Sequence, residues 1–101
     1  MILNYRNDKG ICTVITADFR TETVTIENRT DVILHRAFGV KKNPTWEDFE
    51  SFLEDRCFPG TRDKLKLVLQ DVGVDYYDPL QIIRKTQGRM AEDHQWIEIV
   101  E

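Results

Sequence analysis

Hydrophobic and polar positions alternate strictly over Thr23-Val24-Thr25-Ile26-Glu27. A period of two puts Val24 and Ile26 on the core face of a strand, with the threonines and Glu27 facing out. Upstream, Ile2-Leu3-Asn4-Tyr5 is a short apolar opening, and Asn7-Asp8-Lys9-Gly10 carries turn residues. Ile11-Cys12-Thr13-Val14-Ile15-Thr16-Ala17 is rich in β-branched residues, the composition of a strand buried on much of both faces. Asp18 to Glu22, polar apart from Phe19, reads as a hairpin loop. After a turn at Asn28-Arg29-Thr30-Asp31, the run Val32-Ile33-Leu34-His35-Arg36-Ala37-Phe38 reads as a further strand closed by Gly39. A helix fits the same run, because a short apolar stretch carries no distinguishing period.

From Asn43-Pro44 the period lengthens. Thr45 is the expected N-cap of a helix, with Asp48 three positions on and Glu47 in the first turn, where negative charge suits the dipole. Trp46, Phe49, Phe52, Leu53 and Cys57 then form one stripe. Pro59-Gly60 breaks the chain, and Thr61 is the expected cap of the next helix. Leu65, Val68, Leu69 and Val72 stand at i, i+3, i+4 and i+7, and Gly73 follows as a C-terminal cap. Asp78-Pro79 sets a cap and a first-turn proline before Leu80, Ile82 and Ile83, and Gly88 stops that helix. Arg89 to His94 is open to a further turn of helix. Trp96-Ile97-Glu98-Ile99-Val100 alternates again, as a strand returning to the sheet would.

Strands and helices are segregated along the chain, which predicts an α+β fold: N-terminal antiparallel strands with two or three short helices packed on one face. The 101 residues predict one domain, 1–101, mainly strand over 1–40, mainly helical over 45–94, with a strand pattern over 95–100. Forty residues are too few for a stable core alone, so Asn43-Pro44 is a joint inside the domain. Hydrophobic residues make up 41 % and charged residues 32 %, a balance that excludes a disordered chain. No apolar run approaches the roughly 20 residues of a transmembrane helix, and the N-terminus lacks the pattern of a secretory signal. The two cysteines, Cys12 and Cys57, form neither a metal motif nor a disulfide framework. A cytoplasmic location with reduced thiols is expected.

The net charge is −4, unevenly spread. Residues up to Asn43 hold seven Lys/Arg against five Asp/Glu, whereas the remainder hold seven against thirteen. An acidic helical half argues against direct nucleic-acid binding, which needs a cationic face. It serves solubility, or docking on a basic partner. A helix-turn-helix comparison, with Gln81, Arg84, Lys85 and Gln87 presented by the second helix, meets the same objection. No catalytic set, cofactor loop or metal spacing is expected. His35 reads as a strand histidine, and His94 stands next to Glu92 and Asp93, which as chain neighbours do not face it. Asp71, Asp75 and Asp78 lack calcium-loop spacing. Cys57 sits beside Arg56 but on an apolar stripe, where a buried, inert thiol is expected.

Aromatic residues concentrate in the second half, and Tyr76, Tyr77 and Trp96 are the best placed to anchor an interface. The segment from Arg84 to Trp96 surrounds Trp96 with Arg84, Lys85, Arg89, Glu92, Asp93 and His94. Mixed charge about an aromatic ring points to protein binding.

The stretches Trp46-Glu47-Asp48-Phe49, Phe52-Leu53-Glu54-Asp55-Arg56-Cys57-Phe58-Pro59, Thr61-Arg62, Tyr77-Asp78-Pro79, Ile82-Ile83, Lys85-Thr86-Gln87-Gly88-Arg89-Met90-Ala91-Glu92-Asp93 and Trp96-Ile97 resemble a group of small bacterial proteins. Members of that group are encoded beside HipA-type serine/threonine kinase genes, in toxin–antitoxin-like loci or mobile elements. The resemblance spans about residues 24–100 and brings no catalytic motif. It implies a protein partner, and hence a non-catalytic, antitoxin-like regulator of a larger bacterial protein such as a HipA-type kinase. The alternative expectation is a mobile-element inhibitor, an anti-CRISPR or other anti-defence protein, that occupies a partner's nucleic-acid site. The chain has no kinase nucleotide-binding or catalytic loop of its own.

Overall fold

Asn7-Asp8-Lys9-Gly10 turns the chain between β1 (Ile2–Asn7) and β2 (Gly10–Asp18), and Arg20 to Glu22 turn it again into β3 (Thr23–Asn28). Asp18 braces the second turn by accepting the Arg20 N–H at 2.9 Å. The computed structural model describes residues 1–57, 64–90 and 93–100. Within them the last strand, β4 (Trp96–Val100), returns antiparallel to β1, which gives a four-stranded antiparallel sheet of order β3-β2-β1-β4. Among the described residues three helices follow the first three strands: α1 (Trp46–Asp55), α2 (Leu65–Val72) and α3 (Pro79–Thr86). The fold is α+β, as the segregation of strand and helix patterns predicts. No helix among the described residues is long and apolar enough to cross a membrane.

One face of the sheet carries Leu3, Tyr5, Ile15, Ala17 and Ile97, all buried against Phe49, Phe52, Leu53, Leu69, Ile82 and Ile83 of the helices. The other face holds Asn4, Arg6, Val14, Thr16, Trp96 and Glu98 at intermediate or full exposure. An antiparallel sheet tolerates one wet face, and the strands alternate accordingly. The expectation that residues 11–17 are buried on both faces is therefore corrected. A register shift between Tyr5 and Arg6 leaves Cys12 as the extra residue, so Cys12 and Thr13 are both buried while Val14 and Thr16 face outward.

The helix ends follow their capping chemistry. Thr45 Oγ1 accepts the Asp48 N–H at 3.1 Å and Asp48 Oδ2 accepts the Thr45 N–H at 2.9 Å, a complete capping box. Asp78 accepts the Leu80 N–H at 3.0 Å, with Pro79 opening α3. Gly73, at φ +92°, closes α2 in the left-handed conformation that glycine adopts without strain. α2 starts at Leu65 with Lys64, at φ +57°, as its N-cap and no side-chain cap bond, so the expected cap Thr61 does not adjoin it; Thr61 and Phe58 themselves lie outside the described residues. Residues 89–90 and 93–95 carry no helix, so the further turn considered for Arg89 to His94 is absent among the described residues.

The run 32–38 is not a strand. Ile33–His35 is a short 3-10 turn, and Val32, Ile33 and Leu34 are exposed. The backbone here is held by side chains and not by a sheet ladder. Thr13 Oγ1 accepts the Ala37 N–H at 3.1 Å, Gln95 Nε2 donates to the His35 carbonyl at 2.8 Å, and Arg36 Nε donates to the Thr30 carbonyl at 2.8 Å. Ala37 and Phe38 alone of the run pack against the core. His35, read from the sequence as a strand residue, is thus an exposed turn residue.

Candidate interaction surface

Arg56 organises the end of the molecule at the β1–β2 turn. It continues the stripe of α1, at i+7 from Phe49 and i+3 from Leu53, and is only 7 % exposed. Its guanidinium has five N–H donors in a fixed fork. Nε donates to the Gly88 carbonyl at 2.8 Å, Nη1 to Tyr5 Oη at 3.2 Å and to Asp93 Oδ2 at 2.8 Å, and Nη2 to Asp93 Oδ1 at 3.2 Å and the Gln95 carbonyl at 2.8 Å. The guanidinium also lies 5.3 Å from the Tyr5 ring centroid. One buried cation thus ties α1, β1 and the connection between α3 and β4 together. Gly88, at φ +63°, passes so close that a Cβ would sit 3.2 Å from both Arg56 Cβ and Ile97 Cδ1.

Arg56 sets the electrostatics around it. Its hydrogen bonds hold the Asp93 carboxyl below the ordinary 3.8; burial opposes this, and the Gln95 N–H adds to it. Burial pushes the Tyr5 phenol above 10, against the pull of Arg56. Burial also pushes the Cys57 thiol up to about 12, as suits an inert core cysteine. Asp93 carries a stability consequence. A carboxyl depressed in the folded state stabilises it above the unfolded pKa, and this is lost as pH falls through the folded pKa. Denaturant midpoints measured from pH 6 down to pH 2 should therefore fall below about pH 4. Asp93→Asn should start lower at pH 6 and fall less. Parallel curves for the two proteins would remove Asp93 from the acid transition.

With the backbone so anchored, Trp96 at the start of β4 stands opposite Arg6 of β1 on the wet face. Arg6 lies 5.5 Å from the Trp96 ring and Arg89 lies 4.3 Å from it. Arg6 also pairs with Glu98 at 3.2 Å, and Arg89 Nε donates to Gln87 Oε1 at 3.0 Å. Beside this stack lie two recesses of about 230 and 430 Å³ that share Asp8, Asp93, His94 and Gln95. Arg89 and Trp96 line the smaller, and Leu34 and His35 line the larger. Leu34 is 90 % exposed.

The residues singled out from the sequence divide. Arg89, Trp96, His94 and Asp93 come together, Asp93 as a structural partner of Arg56. Arg84 and Lys85 are exposed in the last turn of α3, outside the two recesses. Tyr76 is 63 % exposed before α3, while Tyr77 packs against the core with its phenol raised by burial; neither lines the recesses. Glu92 lies outside the described residues. Sequence reading missed Arg6 and Leu34: the first depends on strand register, the second on the misread turn. Among the described residues no three of His, Cys, Asp and Glu group so as to hold a metal ion.

The architecture defines the class as α+β, an antiparallel sheet covered by helices on one face. The chain matches no protein-family model, no curated protein and no solved structure.

Proposed function

We propose that this chain is a non-catalytic protein-interaction module, a small cytoplasmic regulator or antitoxin-like partner of a larger bacterial protein such as a HipA-type kinase. The observation that carries the reading is the Trp96 stack, with Leu34 almost fully exposed across the adjoining recesses. An aliphatic anchor, a tryptophan and arginines, held on a braced backbone, make a surface of the kind that carries binding energy. The sequence resemblance supports the choice of partner.

The test is binding between the full chain and the product of its neighbouring gene, both folded and at micromolar concentration. A complex is expected, and its absence overturns the reading. Leu34→Asp and Arg89→Ala should each weaken it about tenfold or more while changing stability by less than about 1 kcal/mol, since both side chains are exposed. Variants that bind like the parent would place the interface elsewhere.

A further inference from the structure

We propose that the cleft between the β2–β3 loop, α1 and the start of α3 is a binding site for an arginine side chain presented by a partner protein. The cleft lies at the opposite end of the sheet from Trp96, because β2 runs from the β1–β2 turn to this loop. It is independent of the surface described above. Its volume is about 370 Å³.

The floor is aromatic. Phe19 meets Trp46 edge-on at 5.0 Å and Phe49 at 5.9 Å, and Trp46 lies 5.0 Å from Phe49. Phe49 is fully buried, whereas Phe19 is 42 % exposed and Trp46 half-buried, so ring surface is left open to a ligand. An apolar floor alone would not name its occupant, but the rim does. Glu22 comes from the loop, Glu50 and Glu54 stand one turn apart on α1, and Asp78 caps α3. Among the described residues, neither Glu22, Glu50 nor Glu54 forms an ion pair. Like charges at i and i+4 destabilise a helix, so this arrangement costs the unbound protein stability. A cation entering the cleft offsets that cost.

Aromatic rings attract cations through their quadrupole, and a guanidinium does so while lying flat on a ring and donating to carboxylates at its edge. A compact ammonium is more strongly hydrated and lacks the planar fork. Glu47, Glu50 and Glu54 are exposed along α1, which gives the flanking peptide a path of complementary charge.

The probe is the peptide acetyl-Ala-Arg-Ala-amide, added to the full chain and followed by nitrogen–proton correlation NMR. Shift changes confined to residues 19–22, 46–54 and 78–80 are expected. The same peptide with citrulline, which keeps the shape and loses the charge, should bind at least about tenfold more weakly. So should the arginine peptide to Glu50→Gln with Glu54→Gln, whose spectrum elsewhere reports an intact fold. Three results overturn the proposal: no shifts at millimolar peptide, shifts scattered over the acidic surface, or citrulline binding as arginine does. A lysine peptide that binds equally well overturns the guanidinium assignment.

Discussion

Arg56→Ala should destabilise the protein by about 3–5 kcal/mol, measured as a fall in the denaturation midpoint followed by circular dichroism. The size follows from what remains behind. The buried carbonyls of Gly88 and Gln95 lose their donors, and the carboxylate of Asp93, itself partly exposed, loses the partner that holds its proton off. Buried polar groups left unpaired cost more than the bonds contributed while made. Against a total stability of roughly 5–15 kcal/mol for a domain, such a loss is large. Arg56→Lys should recover only part of it, because an ammonium has three donors and cannot span five contacts in a plane. Amide exchange should report the same event locally, with protection lost first at Gly88 and over 93–97. If Arg56→Ala costs less than about 1 kcal/mol, water has replaced the network, and the connection to β4 is held by β1 pairing, the Ile97 N–H bond to the Gln87 carbonyl and the Gln95 bond to the His35 carbonyl.

The same residue shows where sequence reading reached its limit. Arg56 completes an i, i+3, i+4, i+7 set with Phe49, Phe52 and Leu53, so its place on the buried stripe was legible in the spacing, although apolar character alone assigns the stripe to Cys57 and passes Arg56 over. Its partners were not, because Tyr5, Gly88, Asp93 and Gln95 stand 32 or more positions away and only the packed fold aligns them. Local chemistry was readable in the other elements. The Thr45 box, the Asp78-Pro79 start and the alternation of 23–27 and 96–100 each depend on neighbours within a few residues. Residues 32–38 misled for the opposite reason. Their apolar character suggests burial, yet the backbone there is satisfied by Thr13 and Gln95 from other strands and loops, which frees Val32 to Leu34 to face outward. Of the candidate surface, Trp96 and Arg89 were visible as an aromatic beside a charge. The second arginine on the ring came from the β1–β4 register, and the aromatic cleft from a loop phenylalanine that the hairpin folds back over α1.

Phe49→Ala should cost about 3–5 kcal/mol, the range for removing a phenyl ring from a core. Phe49 has no exposed surface and stands between α1 and the sheet, within a ring cluster that includes Phe19 and Trp46. Truncation leaves a cavity that neighbouring backbone can close only in part, because α1 is also pinned by Phe52 and Leu53 on the core side and by its capping box at the start. Phe49→Leu keeps much of the volume and should cost less, about 1–2 kcal/mol. The two variants should share the parent's denaturant slope and differ in midpoint, since each still unfolds from a packed state. Near-ultraviolet circular dichroism should weaken more in Phe49→Ala, where Trp46 keeps Phe19 but loses the Phe49 ring at 5.0 Å. A cost below about 1.5 kcal/mol would show that Trp46 swings inward to fill the space. The cleft would then lose its floor in the variant, and the arginine peptide should bind it weakly even though Glu22, Glu50 and Glu54 are all present.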